Sequence, residues 1–255
     1  MKVTLIQSNI HWEDAKANRE HLDLLLQRVP GDTDLVVLPE MFTTGFTMHA
    51  AGQSESMSGA SLAWMKEKAA SLDAAMVGSL IIREDDQYYN RLIWQMPDGA
   101  TICYDKKHLF TYAREHETYT PGQRRIKVAY RGWDCLPLIC YDLRFPVWSR
   151  NIDEYHLLIY VANWPQVRSH AWKTLLQARA IENQCYVLGV NRVGWDDSGH
   201  YYSGESCIID YQGEIMATTK DDEDLLYADL DQEKLVHFRG QYAFLQDRDE
   251  FRLLG

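Results

Sequence analysis

A chain of 255 residues with 46% hydrophobic composition can bury a full core as one domain spanning residues 1–255, with two smaller domains as the alternative. Its 26 Lys and Arg stand against 37 Asp and Glu, and the net charge of −11, with no basic stripe to offset it, argues against nucleic-acid phosphates or an anionic membrane as partners. No apolar stretch approaches the roughly twenty residues that a membrane helix needs.

In chain order, Val3-Thr4-Leu5-Ile6 reads as a strand and Asp14 to Val29 as an amphipathic helix. Leu35 to Leu38 is a second apolar strand, Ser61 to Ser71 a second helix, and Ala75 to Ile82 a third strand. Asn90 to Met96 and Thr101 to Tyr104 flank Pro97-Asp98-Gly99, a hairpin turn by composition. The run Leu136-Pro137-Leu138-Ile139 is followed by Leu157 to Val161, a helix from Ser169 to Glu182, and a strand from Cys185 to Val190. On that helix Trp172, Leu175, Leu176 and Arg179 share one face, and Arg179 with Glu182 reads as a structural polar pair. Tyr211-Gln212-Gly213 joins Ser206–Asp210 to Glu214–Ala217 in a second hairpin. Asp221-Asp222-Glu223-Asp224 is a solvated loop before the strand-like Leu225-Leu226-Tyr227, and Phe238 to Phe251 is a tail suited to packing on a partner. Strands alternating with helices, plus two hairpins, predict an α/β fold of two mixed sheets covered by helices.

Three segments carry candidate chemistry. Cys140 closes its apolar strand and precedes the polar Tyr141-Asp142-Leu143-Arg144-Phe145-Pro146, so it is either a core thiol or a nucleophile at a strand end. As a nucleophile it would lie near backbone N–H groups and a Pro-containing helix start, whose positive end favours the thiolate. Glu40, in Leu38-Pro39-Glu40, stands where an open α/β sheet collects chemistry, although a solvated loop carboxylate is the plainer reading of Glu40 alone. In Tyr104-Asp105-Lys106-Lys107-His108, alternation puts Tyr104, Lys106 and His108 on one face and Asp105 and Lys107 on the other, so only one lysine faces a site and parity does not say which. Cys103 lies on the face opposite Lys106, which argues against it as the nucleophile. A carboxylate, an ammonium and a thiol together make an acyl-transfer set: a base, an oxyanion partner and a nucleophile.

These segments resemble the motifs of the nitrilase (carbon–nitrogen hydrolase) superfamily over nearly the whole chain. Leu38-Pro39-Glu40-Met41-Phe42 matches its first motif, and Tyr104-Asp105-Lys106-Lys107-His108-Leu109 its second, in a register that gives Lys106 the catalytic lysine's place. Cys140-Tyr141-Asp142-Leu143-Arg144-Phe145-Pro146 matches the third, and Glu115, before Pro121-Gly122, matches a second glutamate found in many members. The resemblance implies a four-layer α-β-β-α sandwich and a Glu–Lys–Cys mechanism. In it Cys140 attacks an amide carbonyl, Glu40 shuttles the proton, Lys106 and the Tyr141 N–H hold the oxyanion, and Glu115 positions the substrate or the Lys106 and Glu40 pair. It also implies a homodimer, and no cofactor. No metal is suggested either: the nine His are scattered, with no His-x-x-x-His on an expected helix and no Cys-x-x-Cys.

Within the superfamily the chain is most similar to the ω-amidase branch, which deaminates ω-amides of dicarboxylic 2-oxo acids such as 2-oxoglutaramate and 2-oxosuccinamate. Such a substrate carries a distal carboxylate that needs an anchor. Arg144 is one candidate, its alternative role being to tether the turn behind Cys140 through local carbonyls, and Arg192 is another. Tyr141 and Trp164 are candidate pocket walls, with a core role as the alternative for Trp164. The rival readings are a related hydrolase of aliphatic amides, N-carbamoyl compounds or nitriles, and a scaffold that has lost the chemistry. An N-terminus that turns polar too soon for a signal peptide, with five cysteines best read as reduced, predicts a cytoplasmic protein; Cys103, Cys135, Cys185 and Cys207 read as core or strand residues.

Overall fold

Each apolar run becomes a strand buried between layers, and each amphipathic run a helix laid over one outer face. The computed structural model describes residues 1–251. The first half of the chain supplies β1 (Lys2–Gln7), α1 (Ala15–Leu26), β2 (Leu35–Val37), α2 (Ala50–Gln53), α3 (Ala60–Leu72), β3 (Ala75–Glu84), β4 (Gln87–Gln95) and β5 (Thr101–Asp105). The second half supplies β6 (Val128–Tyr130), β7 (Trp133–Ile139), α4 (Pro146–Ser149), β8 (Leu157–Ala162), α5 (Ser169–Asn183), β9 (Tyr186–Asn191), β10 (Val193–Trp195), β11 (Tyr201–Ile209), β12 (Ile215–Lys220), β13 (Asp224–Asp229) and α6 (Gln232–Gln241).

Two mixed sheets result. One has the order β13-β1-β2-β3-β4-β5, and the other β10-β11-β9-β8-β7-β6 with β12 on the outer side of β11. Each has a parallel centre, β1-β2-β3 or β7-β8-β9, flanked by antiparallel strands. β13 returns from the second half to pair with β1, Val3 opposite Ala228. The inner faces pack on each other: Leu5, Val37, Trp94 and Tyr104 of the first sheet share one core with Tyr130, Cys135, Ile159 and Leu188 of the second. Helices α1 and α3 cover the outer face of the first sheet through Leu22, Leu26, Leu62 and Met65. α5 covers the second through Trp172, Leu176, Arg179 and Ala180, the face its periodicity predicts. The molecule is a four-layer α-β-β-α sandwich.

Local chemistry sets the element ends. Asp14 caps α1 by accepting the N–H of Ala17 at 2.9 Å. Gly99 takes φ +95° in the expected Pro97-Asp98-Gly99 turn, and Gly213 takes +89° in the second. Much of the tail packs on its own chain: Phe238 stacks against Tyr211, the Arg239 guanidinium donates to the carbonyls of Tyr155 and Gln184, and Arg248 pairs with Glu154.

After β5 the chain doubles back, and Gly122 lies against the strand it has just left, its N–H bonded to the Lys106 carbonyl at 2.9 Å. A Cβ on Gly122 would meet the carbonyl oxygen of Asp105 at 2.0 Å, a backbone atom that cannot swing aside. Gly122→Ala is therefore expected to lose about 2 kcal/mol or more in urea unfolding; stability equal to the parent's would contradict this close approach.

Candidate active site

The ends of β2, β5 and β7 converge on one place. Pro39 stops the β2 ladder just after Leu38 bonds Val77, and the chain turns at Met41 with φ +43°, leaving Glu40 fully buried. Lys106 follows β5 with the same parity as Tyr104: Tyr104 reaches Asp142 beyond β7, and Lys106 reaches Glu40 beyond β2. Lys107 does not reach the two glutamates; its ammonium lies 5.7 Å from the Trp148 ring. The contacts thus select one of the two adjacent lysines, in the register of the motif.

Cys140 sits at the start of a 3-10 turn, Cys140–Arg144, with φ +42°. A left-handed non-glycine residue costs of order 1–3 kcal/mol, so its surroundings must hold it. Asp142 does so. Its buried carboxylate accepts the Ile139 N–H at 3.1 Å, the Tyr104 hydroxyl at 2.7 Å and the His108 N–H at 3.0 Å, with the His108 ring nitrogen at 2.8 Å. The Leu143 carbonyl is tied down by Arg179 at 2.6 Å, whose other arm pairs with Glu182 at 2.8 Å. Arg144 does not tether the turn as one sequence reading had it; α5 supplies the arginine that does.

The Lys106 ammonium lies 2.8 Å from Glu40 Oε1 and 3.0 Å from both oxygens of Glu115, with all three residues at most 1% exposed. Burial works against the ammonium, but Glu115 and Glu40 outweigh it and raise the lysine pKa. Glu115 itself is raised by burial, with Lys106 pulling it down and Glu40 pushing it up. Two asparagines that sequence reasoning missed complete the Glu40 shell: Asn90 donates to Oε1 at 2.8 Å and the Asn163 N–H to Oε2 at 2.8 Å. Their signal was a polar residue inside or just after a strand-like run, which is too common to single out. The Cys140 sulfur lies 3.8 Å from the Asn163 carbonyl, and its pKa is pushed well up by burial and then by Glu40, with Lys106 opposing. The expected Pro-containing helix start is present at Pro146, but α4 has only four residues, and desolvation beside a carboxylate outweighs it.

Glu40, Lys106 and Cys140 open onto a cavity of about 430 Å³ walled by Trp12, Phe46, Phe110, Tyr141, Trp164 and Tyr202. Glu115 lies behind Lys106. Tyr141 and Trp164 are wall residues as expected, and Trp164, 4% exposed and packed on Trp172, is a core residue as well. The Arg144 guanidinium lies 4.9 Å over the Trp164 ring on the cavity wall. Arg192 goes elsewhere, buried over the Tyr202 ring and donating to the carbonyls of Ile10, Val193 and Trp195. Loop residues Trp12, Phe46 and Met48, which carry no period, were not foreseen as lining.

The family model of carbon-nitrogen hydrolases matches residues 2–239. The chain belongs to the carbon-nitrogen hydrolase family. It is 47% identical over 255 residues to the omega-amidase YafV of Yersinia enterocolitica, covering 100% of this chain and 99% of that one. It is 30% identical over 250 residues to the 2-oxoglutaramate amidase of Bacillus subtilis, covering 96% of each. A crystal structure of a CN-hydrolase superfamily protein from Xanthomonas campestris, with an arsenic adduct in its active site, superposes with a TM-score of 0.97 at 41% identity, covering 99% of this chain and 98% of the other. The chain is accordingly an amidase of the nitrilase superfamily, in its omega-amidase branch.

Removing the ammonium leaves two buried carboxyls facing each other. A raised carboxyl pKa favours the protonated form in the folded state, a contribution present at low pH and lost as pH rises through the raised value. Lys106→Met is therefore expected to lose more stability, relative to wild type, at about pH 8 than at about pH 5, measured by urea unfolding; the same deficit at both would mean that the carboxyls do not depend on Lys106. Lys107→Met is expected to shift stability by less than about 0.5 kcal/mol.

Proposed function

We propose that this enzyme hydrolyses small ω-amides of dicarboxylic 2-oxo acids, 2-oxoglutaramate and 2-oxosuccinamate being the models, through a cysteine thioester. The observation that carries the reading is the buried Lys106 bridging Glu40 and Glu115 beside the Cys140 thiol, on a cavity whose wall also bears Arg144.

The raised thiol pKa means that the resting nucleophile is neutral, so the attack needs a base, and Glu40 is the carboxylate beside it. Cys140 Sγ bonds to the amide carbon as its proton passes to Glu40. The carbonyl oxygen takes the negative charge, held by the Lys106 ammonium and the Tyr141 N–H at the open start of the 3-10 turn. The C–N bond breaks, the nitrogen takes the proton from Glu40, and ammonia leaves a thioester. A water then gives a proton to Glu40 and its oxygen to the acyl carbon. The C–S bond breaks, sulfur recovers the proton, and the dicarboxylic 2-oxo acid departs. Glu115, which never meets the substrate in this scheme, holds Lys106 charged and in place. Tyr141 and Trp164 flank the substrate and Arg144 reads its carboxylate.

The relatives support the substrate class, one being named for omega-amides and another for 2-oxoglutaramate. We further read the chain as a cytosolic homodimer of one hydrolase domain. Five unbridged cysteines support the compartment, and the exposed Val147, Val167 and Ile181 on the elements after Cys140 support a second copy on that face.

Ammonia release should be fastest, by kcat/KM, on 2-oxoglutaramate when it is compared with an aliphatic amide, a nitrile and an N-carbamoyl amino acid; equal rates across the panel would remove the ω-amidase reading. Cys140→Ser should lose turnover by about three orders of magnitude or more and keep the thermal midpoint of wild type, and wild-type rates in that variant would mean another nucleophile.

A further inference from the structure

Resting on the proposed ω-amidase reading, we infer that Arg168 is a specificity-determining residue. Together with Arg144 it makes one end of the cavity cationic, admitting ω-amides with an anionic tail and rejecting those whose α-carbon carries an ammonium.

Arg168 ends the 3-10 turn Gln166–Arg168 just before α5, and it lines the cavity that contains Cys140. Its guanidinium lies 5.2 Å over the Phe110 ring, as that of Arg144 lies 4.9 Å over Trp164. The two supports are linked, because the Trp164 indole N–H donates to the Arg168 carbonyl at 2.8 Å. Among the described residues neither guanidinium has a hydrogen-bond or carboxylate partner. Acceptors are not scarce in a chain with 37 Asp and Glu; Arg91, Arg125, Arg131 and Arg179 each take one. Two unpaired guanidiniums stacked on aromatic faces at one cavity are held with their N–H edges free, the arrangement that a carboxylate reads best.

The same wall offers an ammonium no unengaged carboxylate. Its carboxylates are those of Glu40 and Asp196. Glu40 is taken by Lys106, Asn90 and Asn163. Asp196 accepts the Tyr202 hydroxyl at 2.9 Å and the His200 N–H at 2.8 Å. A zwitterionic amide such as glutamine would bring its ammonium toward two like charges with no unengaged carboxylate to offset them, whereas the 2-oxo or unsubstituted acid amide brings only the carboxylate.

The test uses the full chain as wild type, Arg168→Gln and Arg168→Lys, with glutaramate, 2-oxoglutaramate, L-glutamine and uncharged pentanamide as substrates. In Arg168→Gln the ratio of kcat/KM for glutaramate to that for pentanamide should fall about tenfold to a hundredfold, carried by KM rather than kcat. Glutamine should gain on glutaramate, and Arg168→Lys should recover part of the ratio. An unchanged ratio, or a fall carried by kcat on every amide alike, overturns the role of Arg168. A wild-type enzyme that does not distinguish glutaramate from pentanamide overturns the ω-amidase reading itself, and that result is visible before any variant is made.

Discussion

The structure depends on one ammonium. Lys106 is buried with two carboxyls, an arrangement that is strongly unfavourable unless each charge is matched. Its three short contacts bind the end of β2, the end of β5 and the 3-10 turn that carries Glu115 into a single cluster. Taking one partner from such a cluster typically costs about 3–5 kcal/mol, so the group best placed to stabilise an oxyanion also fixes the geometry of the floor beneath it. The cluster puts positive charge within reach of the thiol while keeping a proton acceptor beside it.

Cys140 is arranged on the opposite logic. Cys140 is strained in its backbone and disfavoured as an anion, and both features trace to its position at the tip of β7, in a left-handed conformation that no glycine relieves. The strain is contained by Asp142, which gathers partners from β5, from the His108 segment and from the residue before the cysteine. The lysine-bearing segment and the Cys140 turn are thus tied together twice, once through Asp142 and once through Glu40 and Asn163.

How much of this the sequence disclosed follows from the range of the interactions involved. Local patterns gave both hairpins and the buried face of α5, because turn residues and a 3.6-residue period act over a few positions. The motifs identified Glu40, Lys106, Glu115 and Cys140 as a set, and parity put Lys106 with Tyr104. What stayed hidden was set by distant neighbours. The charge state of Cys140 depends on burial and on a glutamate far away in the chain. The partner of the Leu143 carbonyl is an arginine on α5, not the adjacent Arg144. Asn90, Asn163 and the loop residues around the cavity carry no period, and only the closing of one sheet on the other gives them a place.

Glu40 and Lys106 follow strands of the first sheet, with Glu115 on a 3-10 turn further along the same connection, while Cys140 and Asn163 follow strands of the second. The gap between the sheets is filled by side chains such as Trp94 and Tyr130, whose rings meet edge to face at 6.1 Å. Their volume acts as a spacer that sets how far the Cys140 sulfur stands from the Glu40 carboxyl. The separation of the two halves of the site is thereby set from deep inside the filling, by residues that lie away from the cavity.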